Sequence, residues 1–232
     1  MRRLAAFCLC FVLLAVVACK DDENQAPPDT PSPEPASNEE GESAPGSVPS
    51  PMAEDLEDAL LRVEDLAPGW VLDPPQASDD DDGTCGLNLK TDFLLAATAT
   101  RHFSVSPVGP FLVEEILLYE GGEAERAWSA LTETFRTCTQ DLDIDSAGDE
   151  ARYELQPMQF PALGDGVVAL DIQGPEAAVD IFGDFKAHLV IIRHGDVFLF
   201  LAHATFDTNA LDPARTEEFA RAAFARAEET LR

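Results

Sequence analysis

The sequence predicts an α+β fold, a single antiparallel β-sheet of about six strands packed by helices, and three observations carry that reading. Apolar periodicity alternates between helical and strand spacing in the order helix, two strands, helix, four strands, helix. The connections between neighbouring strands are short and turn-like, as antiparallel partners allow. The last strand pair, over 182–205, is apolar on both faces and reads as the centre of the sheet or as one wall of a cavity; periodicity does not choose between these.

Composition sets the first 51 residues apart from the folded region. Arg2 and Arg3 precede an uninterrupted apolar run from Leu4 to Val17, followed by Ala18 and Cys19. The run is shorter than the roughly 20 apolar residues of a membrane-spanning helix, so 1–18 reads as a signal peptide in which Cys8 and Cys10 are discarded. Its ending, Val16-Val17-Ala18-Cys19, resembles the lipobox of bacterial lipoproteins. That resemblance implies an extracytoplasmic protein held to a bacterial membrane through an acylated Cys19. Two or three chains, at about 0.8 kcal/mol per buried methylene, anchor essentially permanently. From residue 20 to 51 the chain carries eight prolines and eight acidic residues with almost nothing apolar to bury. This reads as a disordered, self-repelling linker with a reach between about 30 and 100 Å.

The remaining stretch, 52–232, is sized for one domain. The whole chain has a net charge of −29 from 15 basic and 44 acidic residues, and loss of Arg2 and Arg3 with the signal peptide takes it to −31. A surface of that sign repels phosphate, which excludes nucleic acid as a partner and disfavours electrostatic binding to an anionic bilayer. It attracts basic proteins and cationic ligands, or serves solubility alone.

The elements follow in order. Ser50 and Pro51 mark a helix start, and Leu56, Ala59, Leu60, Val63 and Leu66 recur at helical spacing until Pro68 and Gly69 stop the helix. Trp70 is expected as a core plug, followed by a short extended piece. Asp79 to Asp82 are contiguous rather than alternating, so their carboxylates diverge and a solvated loop is favoured over a calcium site. Strands are expected over 93–105, with a bend or bulge, and over 111–119. A helix over 123–138 carries Ala124, Ala127, Trp128, Leu131, Phe135 and Cys138 on its apolar stripe. Four strands follow, over 151–160, 166–172, 182–193 and 196–205. His194 and Gly195 are expected as the last turn, which would set Arg193 opposite Asp196 and Lys186 opposite His203. Asp212 as N-cap and Pro213 behind it open the last helix, which buries Phe219, Ala220, Ala223, Phe224, Ala227 and Leu231.

Cys85 and Cys138 are the cysteines left after the leader and Cys19 are set aside, and pairing is the economical expectation in an oxidising compartment. The bridge would close a loop of roughly 50 residues, worth about 4 kcal/mol by chain entropy.

Several motifs together resemble the extracellular sensor domain of PknH-type kinases and its lipoprotein relatives. They are DLAPGW at 65–70, the strand and helix VEEILLYEGGEAERAWSALTETFRTC, PALGDG at 161–166 and the hairpin HLVIIRHGDVFLFLAH. The resemblance implies a single antiparallel sheet with helices, broadly like PsbP-type and LpqN-type lipoproteins, and a cleft for an unknown ligand. The family often carries two disulfides, whereas this stretch has cysteines for one. No kinase domain is present.

The sequence carries no GxSxG, HExxH, CxxC or phosphate-cradling glycine loop. His188 and His203 are expected on one face of the hairpin at diagonal positions, with Lys186 beside them, and these three are the candidate ligand-facing residues. Asp171 on a neighbouring strand could complete a metal set with the two histidines, but nothing fixes a third ligand, so no metal, cofactor or catalytic residue is assigned. Asp165 between two glycines reads as a turn residue. The expected function is a non-enzymatic ligand-binding or sensor-like domain that takes an apolar or amphipathic small molecule between the hairpin face and a helix. The alternative is an envelope protein that holds a basic protein partner on its acidic surface. A secreted hydrolase with an unrecognised site is the weaker third reading.

Overall fold

The computed structural model describes residues 52–75, 87–137, 142–146, 149–174, 185–206 and 211–231. Cys19, Cys85, Cys138, the cap at Ser50 and the run Asp79 to Asp82 lie outside the described residues. The described elements are α1 (Met52–Ala59), a 3₁₀ turn (Val63–Asp65), β1 (Val71–Leu72), β2 (Leu95–Ser104), β3 (Phe111–Tyr119), α2 (Glu123–Thr137), β4 (Leu142–Ser146), β5 (Asp149–Pro157), β6 (Gly166–Gln173), β7 (Lys186–His194), β8 (Val197–Thr205) and α3 (Pro213–Thr230). The fold is α+β, as expected. Its strands join in one antiparallel sheet in the order β1-β2-β3-β8-β7-β6-β5-β4.

That is eight strands where about six were expected. One addition, β1, is the two-residue extended piece after Trp70. The other, β4, has the sequence LDIDS; its alternation is real, but two apolar residues among aspartates give a weak strand signal. It forms a sheet edge and pairs with β5 from Leu142↔Tyr153 to Ser146↔Asp149. An edge strand rich in carboxylates resists pairing with other chains. The expected irregularity in β2 is present, since the register shifts between Leu95 and Ala97.

Helix α1 is shorter than its apolar spacing suggests. It ends at Ala59 instead of continuing through Leu66. A helical continuation would bond the Leu61 N–H to the Glu57 carbonyl. Here the Glu57 carbonyl accepts from Arg101 Nη2 at 2.9 Å, and the Leu61 N–H donates to Glu114 Oε2 at 2.7 Å. Arg101 and Glu114 are cross-strand partners in β2 and β3, so the sheet itself caps the helix. Leu60 and Leu61 remain wholly buried beyond the helix end.

The β7–β8 hairpin lies at the centre of the sheet and is covered on both sides. Its turn is Gly195–Asp196, with His194 opposite Val197, and not His194–Gly195. Gly195 takes φ +58 at the first turn position, which suits a primed two-residue hairpin. Arg193 therefore opposes Phe198, and Lys186 opposes Thr205. The displacement is two residues, so the faces survive while the cross-strand partners change. On one face Leu56, Leu60, Trp70, Phe219 and Ala223 pack against Phe103, Ile116, Val190, Ile192, Leu199 and Leu201. On the other, Ala127, Leu131 and Phe135 of α2 pack against Leu117, Leu170, Ile172, Ile191 and Phe198. The result is three layers, with α1 and α3 over one face and α2 over the other.

Candidate functional site

Two places draw polar chemistry into this scaffold, one at each end of the β7–β8 hairpin. At the end where β7 begins, His188 and His203 sit directly opposite each other rather than diagonally. Both point to the α3 side, where Asp212 caps the helix by accepting from the Ala214 N–H at 3.0 Å and Pro213 occupies the first turn. One turn into α3 lies Thr216. Its Oγ1 is 2.7 Å from His188 Nδ1 and 2.7 Å from His203 Nδ1. Thr216, His203 and His188 are 0, 1 and 5% exposed. Trp70 packs edge-on against Phe219 at 5.4 Å, and Phe219 is edge-on to His203 at 5.3 Å, which closes the cluster from the apolar side.

The threonine hydroxyl has one hydrogen and three neighbours, the two Nδ1 atoms and the Asp212 carbonyl oxygen at 3.4 Å. Where it donates along one of the two shorter contacts it accepts along the other, and the neutral rings then hold opposite tautomers; donation to the carbonyl would leave it accepting from both. His188 turns Nε2 toward Asp171 Oδ1, 4.0 Å away. The assignment that serves that carboxylate gives His188 the Nε2 proton and His203 the Nδ1 proton. Asp171 Oδ2 accepts from Gln173 Nε2 at 3.0 Å, while Oδ1 has no hydrogen-bond partner among the described residues.

Burial pushes the His203 pKa down to about 4, helped by the charges of His188 and Arg215 and opposed by Asp212. Burial also lowers the His188 pKa, with Asp171 and Asp212 opposing and Lys186 reinforcing. Both rings are neutral at pH 7. The series Asp171, His188, Thr216 has the composition of a nucleophile relay, but a fully buried hydroxyl committed to two imidazoles meets no substrate in this conformation. Among the described residues no three His, Cys, Asp or Glu side chains converge on a metal position. Lys186 is half-buried at the start of β7, between Gln173 and Thr205.

Some 20 Å along the strand, by its rise per residue, the hairpin ends against the last turns of α3. There a cleft of about 280 Å³ opens. Leu118, Ile192, Val197, Leu199, Phe224, Ala227 and Leu231 make its apolar lining, and His194, Asp196 and Glu228 supply its polar groups. The imidazole of His194 stands edge-on to Phe224 at 5.6 Å. The turn that shapes this end is fastened from the PALGDG loop. Asp165 Oδ2 accepts from the Gly195 N–H at 2.7 Å, and the Asp165 N–H donates to the Arg193 carbonyl at 2.7 Å. Asp165 is thus a turn residue, as expected. Lys186, His188 and His203 lie outside the lining of this cleft.

Thr216 was missed from the sequence, and the cleft was expected only as a space between the hairpin face and a helix, with other residues facing it. The signal for Thr216 was available: 216, 219, 220, 223 and 227 form one helical stripe, and a polar residue on an apolar stripe calls for a buried partner.

A third buried group is Glu114, wholly inaccessible between Leu112 and Ile116. Burial pushes its pKa up to about 8 despite the Leu61 N–H and the Arg101 and Arg226 guanidiniums. Its Oε1 has no partner among the described residues. It closes the α1 corner, where Arg226 also donates to the Asp58 carbonyl at 3.1 Å.

No protein-family model matches the sequence. Curated protein sequences give no match either. Among solved structures, the chain is similar to the extracellular domain of PknH from Mycobacterium tuberculosis, with a TM-score of 0.58 and 8% identity over 77% of this chain and 95% of that one. At that identity the likeness is one of fold, and it agrees with the PknH-like fold expected from the motifs. A STAR-related lipid transfer protein fragment from Xanthomonas axonopodis aligns over 69% of this chain and 99% of its own at 11% identity, but its TM-score of 0.26 supports no argument. Among the described residues no helix is long and apolar enough to cross a membrane.

Proposed function

We propose that this chain is an extracytoplasmic lipoprotein, anchored through Cys19, whose folded domain is a non-enzymatic, sensor-like module that binds an apolar or amphipathic small molecule. The observation that carries the binding reading is the cleft between the β7–β8 hairpin and α3, with seven apolar side chains and a few polar groups around it. That combination is how small-molecule sites are built, and the volume is at the small end of their range. The fold shared with an extracellular domain supports the extracytoplasmic placement, and the leader with its Cys19 supports the anchor. In this reading Cys85 and Cys138 pair.

The test is native mass spectrometry of the mature chain purified without organic solvent. A bound species of a few hundred daltons, lost on denaturation and absent from an Ala227→Trp variant that fills the cleft, is the expected result. An unliganded mass that stays unchanged after incubation with membrane extract sinks the binding reading and turns attention to a basic protein partner. The same spectrum reports the Cys85–Cys138 bridge as a deficit of two hydrogens.

A further inference from the structure

We infer that the pair His188 and His203 is an acid-sensitive latch: with both rings neutral it holds the first turn of α3 on the sheet, and a proton on His203 releases that turn as a local unit while the rest of the domain stays folded. Few groups hold the turn. Asp212, Pro213, Ala214 and Arg215 are exposed, and Thr216 is the buried residue among 212–216. Its hydroxyl meets the sheet at the two Nδ1 atoms, 2.7 Å from each. The next buried residue of the helix is Phe219, and from there Ala220, Ala223 and Ala227 dock the remaining turns on the core. Segments with so few buried contacts open first.

A proton on His203 leaves its bond to the hydroxyl intact, because Nδ1–H donates there. What it adds is a buried charge. His188 across the hairpin and Arg215 of α3 oppose that charge, and Asp212, exposed at the helix cap, favours it. Trp70 and Phe219, the aromatic neighbours of His203, offer no counter-charge. His188 is better placed, with Asp171 Oδ1 of β6 at 4.0 Å from its Nε2, Asp212 on the same side of the balance and Lys186 of β7 against it. Burial holds closed His203 down to about 4, and opening to water restores about 6.5. As pH falls between those values, the open form gains about tenfold per unit over the closed one.

Trp70 reports the opening, since its ring stands 6.3 Å from His203 and 5.4 Å from Phe219. The mature chain carrying Cys19→Ser, which leaves it unacylated, and Trp128→Phe retains Trp70 as its single tryptophan. Its emission maximum and its quenching by acrylamide are followed from pH 7 to 4, while far-UV circular dichroism records the fold. The expected result is a reversible red shift with rising acrylamide quenching below pH 6.5, at a retained folded spectrum. His203→Phe and His203→Gln should each lack it, the glutamine keeping a donor for the Thr216 hydroxyl. His102→Gln, at a half-buried histidine of β2, should keep it. Should Trp128→Phe lose the fold, the same comparison is made with Trp128 present, since it packs on Phe198 across the sheet and is common to every variant.

No change at Trp70 before the circular dichroism collapses overturns the latch, since His203 then titrates only with the whole domain. Loss of emission without a red shift or added acrylamide access overturns it too, because an imidazolium formed in place beside Trp70 has that effect. A shift of equal size in the His203 variants assigns the acid response to carboxylates and has the same consequence.

Discussion

His188 and His203 face each other across the central hairpin and divide one threonine hydroxyl between them, each Nδ1 lying 2.7 Å from Thr216 Oγ1. The hydroxyl satisfies two buried rings at once and ties the first turn of α3 to the sheet. Thr216→Val keeps the shape and removes both bonds, leaving two buried imidazole nitrogens without a partner. An unsatisfied buried polar atom costs about 1–3 kcal/mol, so the expected loss is roughly 2–4 kcal/mol in urea denaturation. Thr216→Ser keeps the hydroxyl and should lose little beyond a buried methyl, about 1 kcal/mol. Equal stability of the valine and threonine proteins would show that the hydrogen bonds are not formed.

The same cluster sets an acid limit. Both imidazoles titrate below their ordinary value in the folded state, so as pH falls through 6.5 the unfolded chain takes up protons that the folded chain refuses. The stability these rings allow is complete above pH 6.5. It is lost progressively until about pH 4, where folded His203 titrates. For His203 the loss approaches about 3 kcal/mol as an upper figure. Protonating the many surface carboxylates relieves repulsion and acts oppositely, so the comparison is between proteins. The wild-type stability should fall more steeply from pH 7 to 4.5 than that of His203→Phe, and parallel curves would refute the assignment.

The sheet was legible where apolar residues dominate. β3, β6, β7 and β8 were expected within a few residues of their positions, as was the Asp212 cap of α3. What escaped was written in polar residues. β4 carries as many aspartates as aliphatic residues, and α1 stops because Arg101 and Glu114, some 40 and 53 positions downstream of Leu61, take its backbone groups. Local periodicity does not encode such long-range bonds. The hairpin faces were assigned correctly despite a displaced turn because a two-residue displacement preserves parity. The cleft was foreseen only as a space between hairpin and helix, since its volume depends on how the last turns of α3 sit over Ile192 and Leu199.

Glu114 predicts a pH dependence of the opposite sign. Its folded pKa of about 8 lies above the ordinary glutamate value of 4.5, so between those limits the folded protein holds a proton that the unfolded chain releases. Stability therefore declines as pH rises from 4.5 to 8, by up to about 1.4 kcal/mol per unit. Glu114→Gln keeps an acceptor for the Leu61 N–H and cannot ionise. The variant should match the wild type near pH 5 and exceed it by a few kcal/mol near pH 8. A gap that stays constant with pH would mean that the carboxyl ionises normally.

Gly164 and Gly195 separate backbone strain from close contact. Their φ values are +59 and +58, so alanine pays the same left-handed penalty at both, about 1–2 kcal/mol. A Cβ on Gly195 meets nothing within 4 Å, whereas one on Gly164 falls 2.3 Å from the Arg193 carbonyl oxygen. That carbonyl belongs to the strand fastened by the Asp165 N–H, so backbone has to move and the Asp165 bond to the Gly195 N–H moves with it. Gly195→Ala should lose only the strain term. Gly164→Ala should lose at least 1 kcal/mol more, in the range of overpacking, and should also weaken ligand uptake in the cleft through the displaced hairpin end. Equal stability of the two variants in urea would show that the PALGDG loop yields freely and does not hold the turn in place.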